Sequence, residues 1–365
     1  MTPEVAIIGA GIAGASVAYF LGDRARVTII EGESHPGYHT TGRSAAFYAE
    51  TYGGPVIQPL TTGSKDFFEA PPAGFADAAL LTPRGGLHIA NEASLGELDA
   101  LAREFADTGV VIERLDGSTV AARWPQLRPE WLAGALWEAD CRDIDVAALH
   151  QGFLAQARRG GAKLLTDARV TALTRQGERW RIETTVGEVT ADIVVDAAGA
   201  WGDVIAAMAG AKPVGLMPLR RTVAVVEVAP EAPADLPLVI GADGSFYFKP
   251  DAGRLWASPH DEISCEPADV QPEEYDVALA IDRLETATTW QVKRLQRAWA
   301  GIRTFAPDRA PVYGYDPVVP GFFWCVGQGG FGIQTAPAAG KLAAALLLGD
   351  VPSTDATAYA PGRFS

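Results

Sequence analysis

Residues 5–31 restrict the possible folds more than any other stretch of the chain. Val5-Ala6-Ile7-Ile8 is a short apolar, β-branched run that ends in Gly9-Ala10-Gly11-Ile12-Ala13-Gly14. Ala15 to Leu21 reads as a helix, and Arg26-Val27-Thr28-Ile29-Ile30 is a second apolar run closed by Glu31. A strand, a glycine turn, a helix and a parallel strand within about 30 residues form the β–α–β unit of a buried sheet. GxGxxG alone is weak, but here it sits between strand and helix with an acid closing the next strand, as dinucleotide binding requires. Gly9 serves the tight turn, Gly11 the close approach to a pyrophosphate, and Gly14 the packing of helix on sheet. The helix start offers free N–H groups to phosphate, and Glu31 can accept hydrogen bonds from ribose hydroxyls. The motif does not separate NAD from FAD.

The rest of the chain is organised around that unit. Ala191 to Val195 reads as another buried strand, followed by Asp196-Ala197-Ala198-Gly199-Ala200-Trp201. Phe322 to Val326 is a third, followed by Gly327-Gln328-Gly329-Gly330-Phe331-Gly332 and a helical Thr335–Leu348. Between 221 and 259 the pattern alternates (222–228, 245–249, 254–258), as in an antiparallel sheet with one face covered, and 271–297 reads as helical. The predicted architecture is α/β: a Rossmann-like domain from residues 1–80, 145–215 and 310–365, with an inserted α+β substrate domain from 81–144 and 216–309. The 365 residues, 48 % hydrophobic, suffice for this. A net charge of −15 argues against nucleic acid as a partner. No apolar run is long enough for a membrane span. Three separated cysteines (Cys141, Cys265, Cys325) fit a reduced cytoplasmic protein and no metal.

Seven blocks in order, GAGIAGAS, GYHTTGRSAA, DIDVAALHQGF, DAAGAW, SFYFKPDAG, AGIRTF and GQGGFGIQT, give the chain an end-to-end resemblance to the D-amino-acid oxidase superfamily of FAD enzymes. Within it, the chain resembles the bacterial D-arginine dehydrogenase group. The resemblance implies non-covalent FAD. Ala13, Glu31 and Gly32 would lie along the adenosine and pyrophosphate, with the Val170 backbone at the adenine. Thr40, Thr41, Gly42, Arg43, Ser44, Ala45, Ala46 and Phe47 would line the isoalloxazine and ribityl region, with Ala198 and Gly199 close to the dinucleotide. Gly329, Gly330, Phe331, Gly332, Ile333 and Gln334 would hold the pyrimidine end of the flavin.

A pocket for an amino acid needs a cation for its carboxylate, and an arginine fork suits that role. Arg221, Tyr247 and Arg303 are candidates from their settings, and the resemblance places all three at the substrate carboxylate. It places Tyr52 over the pocket, and Gly330 is grouped with them. Arg220 competes with Arg221, but on an alternating strand only one of the two can face the pocket. The implied chemistry is hydride transfer from Cα to flavin, then hydrolysis of the imine to a 2-oxo acid and ammonia, with electrons passed to an acceptor such as a quinone. Where D-arginine dehydrogenase has a glutamate for the guanidinium of its substrate, this chain has Gly86. Where that enzyme has a histidine, it has Phe47. Both departures point to neutral or apolar D-amino acids.

Gly253-Arg254-Leu255-Trp256-Ala257 lacks the lysine that related oxidases carry for oxygen, and no cysteine follows Arg303 until Cys325. Slow reaction with oxygen is therefore expected. Two rival readings remain at this stage: a sarcosine- or glycine-type amine oxidase making hydrogen peroxide, and an FAD electron-relay protein. His39 beside the flavin segment reads as an ordinary loop histidine.

Overall fold

The computed structural model describes residues 2–364. Its first sheet has six strands in the order Val312–Tyr315, Phe322–Val326, Ile193–Asp196, Glu4–Ile8, Arg26–Ile30 and Lys163–Leu165. All neighbours are parallel except the outermost pair, 312–315 with 322–326. The β–α–β unit is present: Ile8 stands opposite Ile30 in register, and helix Ile12–Leu21 connects the two strands. Nearly every residue of the central strands is buried, because both faces are covered. One face packs on helices Ile12–Leu21 and Gly332–Leu348. These helices approach so closely that a Cβ added at Gly340 would lie 2.7 Å from that of Ser16. The other face is covered by the antiparallel strands Val170–Gln176, Arg179–Thr184 and Gly187–Ala191.

The second large sheet is mainly antiparallel. Its backbone is the thirteen-residue strand Met217–Ala229, paired along its length with Gln291–Phe305. Strands Arg254–Ser258, Tyr247–Asp251, Leu238–Gly241, Gly86–Ala90, Gly134–Glu138 and Glu113–Leu115 extend it. The 238–241 and 86–90 pair is parallel. Helix Glu274–Ala287 covers one face, burying Ala280, Leu284 and Ala287 against Ala224 and Val226. The opposite face looks toward the first sheet, and its register sets the site. Opposed residues share a face, so Arg221 stands with Gly301, Leu219 with Arg303, Tyr247 with Ile240 and Ser258, and Gly86 with Glu138.

Two expectations fail. Residues 271–297 are not one helix: the helix is Glu274–Ala287, and a strand starts at Gln291. Residues 291–297 are largely exposed and polar, so their own pattern is uninformative; pairing with the long strand 217–229 overrides local propensity. The run 191–195 is divided as well. Ala191 ends a strand of the three-stranded sheet and Ile193 starts one in the parallel sheet.

Candidate active site

Between the two sheets lies a cavity of about 600 Å³. At one end its wall is the first β–α turn. Gly9 has φ +102°, and a side chain there would collide with the Ala197 carbonyl, so the turn and the 197–199 backbone are built against each other. Gly14 lies behind the wall, where a Cβ would strike the Gly9 carbonyl. Glu31 accepts from the Ala10 amide (2.8 Å) and the Glu33 amide (3.0 Å), which ties the glycine loop to the end of the second strand. Thr41 Oγ1 accepts from the Ile12 amide at 3.0 Å, and a Cβ on Gly11 would lie 3.3 Å from it. Ala13, Gly32, Val170, Ala198 and Gly199 complete this end.

Segment 40–45 forms the middle of the wall. Thr40 donates to the Ile302 carbonyl (2.7 Å), while Arg43 donates to the Val270 and Ala300 carbonyls and pairs with Asp269. Ser44 and Ala45 line the space directly. Gly42, Ala46 and Phe47 stand behind that lining. Gly42 donates to the Gly37 carbonyl, Ala46 donates to Ser44 Oγ, and the Phe47 ring packs 5.0 Å from that of Tyr52. From the far side come Gly329, Gly330, Gly332 and Ile333, at the start of helix Gly332–Leu348. That helix has no side-chain cap, so its first-turn amides are available to a ligand. Phe331 turns away onto Phe305 and Tyr52. Gln334 also turns away: it accepts from the Ala49 amide and donates to the Tyr52 carbonyl and Thr61. His39 lines the cavity with its ring 4.7 Å from Trp201 and its Nε2 on Glu33.

Arg221, Tyr247 and Arg303 line the same space. Arg221 NH1, Arg303 NH1 and the Tyr247 hydroxyl are all buried with no hydrogen-bond partner. Three orphan donors at one cavity are costly unless an acceptor arrives. Arg220 faces the other way, onto Asp276 (2.8 Å) and Glu273. Arg221 and Arg303 differ in their backing. Arg221 donates to the Asp261 carbonyl (2.6 Å) and to Glu262 (3.2 Å), and Asp261 in turn accepts from the Thr222 amide and hydroxyl. Among the described residues, Arg303 forms no ion pair.

Burial, reinforced by Arg303, pushes Arg221 down to about 10. Burial pushes the Tyr247 phenol up, but the two guanidiniums outweigh it and the net shift is downward. Burial lowers Arg303, while Tyr52, Tyr247 and Asp261 more than reverse this. His260, behind the Tyr247 ring, is driven to about 3 by burial and by both arginines, so it stays neutral.

Gly330 is the point of closest approach. A Cβ there would lie 2.5 Å from the Tyr52 hydroxyl and 2.9 Å from Arg303 Nε. Gly86, by contrast, is packed on Cys141, and its row partner is Glu138, a buried acid that sequence reasoning did not single out. Asp261 and Glu262 were also missed. No local pattern marks either, beyond their place just after a strand.

A family model described as FAD dependent oxidoreductase, of the DAO type, matches residues 4–346, and the chain belongs to that family. FAD is accordingly its cofactor. The Gly9 cradle and the uncapped start of helix Gly332–Leu348 fit it, and Glu31, Thr41 and the 329–333 loop would hold it. The hydrogen cyanide synthase subunit HcnC of Pseudomonas aeruginosa is 25 % identical, over 100 % of this chain and 96 % of its own length. Mouse mitochondrial dimethylglycine dehydrogenase is 28 % identical, but the match covers 66 % of this chain and only 30 % of that protein. Among solved structures, glycine oxidase from Geobacillus kaustophilus superposes with a TM-score of 0.84 at 23 % identity, covering 98 % of each chain. L-proline dehydrogenase from P. horikoshii gives 0.85 at 22 %, covering 100 % of this chain and 98 % of the other. Among the described residues no helix is long and apolar enough to cross a membrane.

Proposed function

We propose that this protein oxidises the carbon–nitrogen bond of a small amino acid, with a neutral or apolar D-amino acid as substrate. The observation that carries the reading is the set of three orphan donors, Arg221 NH1, Arg303 NH1 and Tyr247 OH, on a cavity already shaped for the cofactor. A carboxylate satisfies all three, whereas an electron relay has no use for them. Bound FAD supplies the hydride acceptor. The chain's own part is to orient: Arg303 and Arg221 grip the carboxylate, and Tyr52 and Gly330 confine the substrate from above. Water enters later to hydrolyse the imine.

The neutral side-chain preference rests on what backs Ala45 and Tyr247 at the cavity wall, an apolar cluster of Phe47 with Cys141, Leu238, Ile240 and Trp256 that offers no counter-charge. Glu138 lies near, but both its oxygens are already engaged and burial raises its carboxyl to about 7, so it is a poor partner for a cationic side chain. Lys249 is tied to Asp143 (2.7 Å) and no lysine lines the cavity among the described residues, which supports slow reaction with oxygen. No cysteine lines it either, in keeping with non-covalent FAD.

The names of similar proteins include both L- and N-methyl amino acids, so the D-form is tested directly. Anaerobic bleaching of the flavin by D-leucine or D-methionine, and not by their L-forms, is the expected result. Bleaching by sarcosine or glycine, with peroxide formed in air, would replace this reading by an amine oxidase.

A further inference from the structure

Arg221, Tyr247 and Arg303 stand on strands, but Tyr52 stands on a turn, and something must hold that turn. Four consecutive residues are fastened by groups from elsewhere. The Ala49 amide donates to Gln334 (3.2 Å), and Gln334 donates back to the Tyr52 carbonyl (3.0 Å). Between them, the Glu50 amide and the Thr51 hydroxyl both donate to Glu138, each at 2.6 Å. Glu138 is 1 % exposed, belongs to no ion pair among the described residues and has no part in the proposed chemistry. Its neighbours are accounted for. His88 lies 3.3 Å from the Thr51 hydroxyl and is kept neutral by burial, and the Glu50 carboxylate is engaged by Thr62.

We propose that Glu138 is a positioning residue of the substrate site: with Gln334 opposite, it fixes residues 49–52 so that the Tyr52 hydroxyl closes over Gly330 and Arg303. A buried carboxylate that takes both a backbone amide and a hydroxyl is a rigid anchor, since release of either donor leaves an unpaired group in the interior. The proposal rests on the reading of Tyr52, Gly330 and Arg303 as the substrate site.

The test is a double-mutant cycle on the FAD-loaded protein, with benzoate as a carboxylate probe read through the flavin absorbance. Glu138→Ala is expected to weaken benzoate by about tenfold, and Glu138→Gln, which keeps one acceptor for the Glu50 amide, to recover most of that. In a Tyr52→Ala background, Glu138→Ala is expected to add nothing. With the amino acid that bleaches the flavin, the change should fall on KM rather than kcat. Equal fold-changes in both backgrounds, or an unchanged benzoate Kd, overturn the proposal. If Glu138→Ala does not fold, Thr51→Val removes one of the two bonds at constant volume and runs the same cycle. Should benzoate fail to bind the unmodified protein, the carboxylate reading falls. Hydrogen exchange then decides: faster exchange at the Glu50 amide in Glu138→Ala, with the rest of the sheet unchanged, supports the anchor, and unchanged exchange refutes it.

Discussion

Arg221 and Arg303 look alike in sequence and are both placed at the substrate carboxylate, yet replacing each by methionine should have opposite effects on stability. Removing Arg221 strands Asp261, whose carboxylate is buried and would keep only the Thr222 donors, while Glu262 keeps its pair with Arg309. Breaking a buried pair from one side costs about 3 kcal/mol. With an unfolding entropy of roughly 2 cal/mol/K per residue over the chain, that is a fall in Tm of about 4 °C. Removing Arg303 strands no acid, and it relieves an orphan guanidinium nitrogen. A methionine there should leave Tm unchanged or raise it by a degree or two. Function should suffer in both variants. Loss of a charge-assisted grip on a carboxylate of about 3 kcal/mol corresponds to roughly 100-fold weaker binding. The assays are differential scanning calorimetry and benzoate titration of the flavin absorbance. Equal losses of Tm in the two variants, or undiminished benzoate binding by Arg303→Met, would refute the reasoning.

Gly330→Ala should raise KM at least tenfold, because its methyl group must displace the Tyr52 hydroxyl or Arg303 Nε; steady-state kinetics at a fixed flavin ratio checks this. Glu31→Ala should lower FAD affinity about tenfold or more, since the amides of Ala10 and Glu33 lose their acceptor along with any ribose contact; equilibrium dialysis of the cofactor measures it. Glu138 predicts a pH effect on stability. Its folded value of about 7 lies above the ordinary 4.5, so the native state holds a proton that the unfolded chain has already lost between those values. The group's contribution therefore declines as pH rises through that window, by about 3 kcal/mol in total. Glu138→Gln should flatten the profile between pH 4.5 and 7, and an unchanged slope in urea unfolding would count against the assignment.

The glycine turn was legible because a backbone constraint leaves few residue choices: Gly9 and Gly14 each face a carbonyl that any side chain would strike. The choice of Arg221 over Arg220 follows from strand alternation, and the structure shows Arg220 committed to Asp276 on the other face. What stayed hidden depends on pairing between distant segments. Strand 291–305 carries no period of its own in its exposed half, and its partner lies about 75 residues away. Glu138, Asp261 and Glu262 are single acids whose meaning comes from what they touch, which no local pattern records. Gln334 belongs to a segment placed at the cofactor, yet its side chain points from the helix toward Tyr52, because successive residues of a helix turn face different ways.

The order in which the parallel sheet is threaded has a consequence for how the protein comes to exist. Strand Glu4–Ile8 is flanked by Arg26–Ile30, made soon after it, and by Ile193–Asp196, made much later; the latter in turn awaits Phe322–Val326. Most of the second sheet, between residues 86 and 305, is synthesised between Arg26–Ile30 and Phe322–Val326. A nascent chain therefore leaves Ile193–Asp196 without one of its neighbours until Phe322–Val326 has left the ribosome, and such non-local pairing folds slowly. Fragments that carry the glycine turn without the strands at 193–196 and 322–326 should neither bind cofactor nor stay in solution, because one cavity is walled by segments more than 100 residues apart.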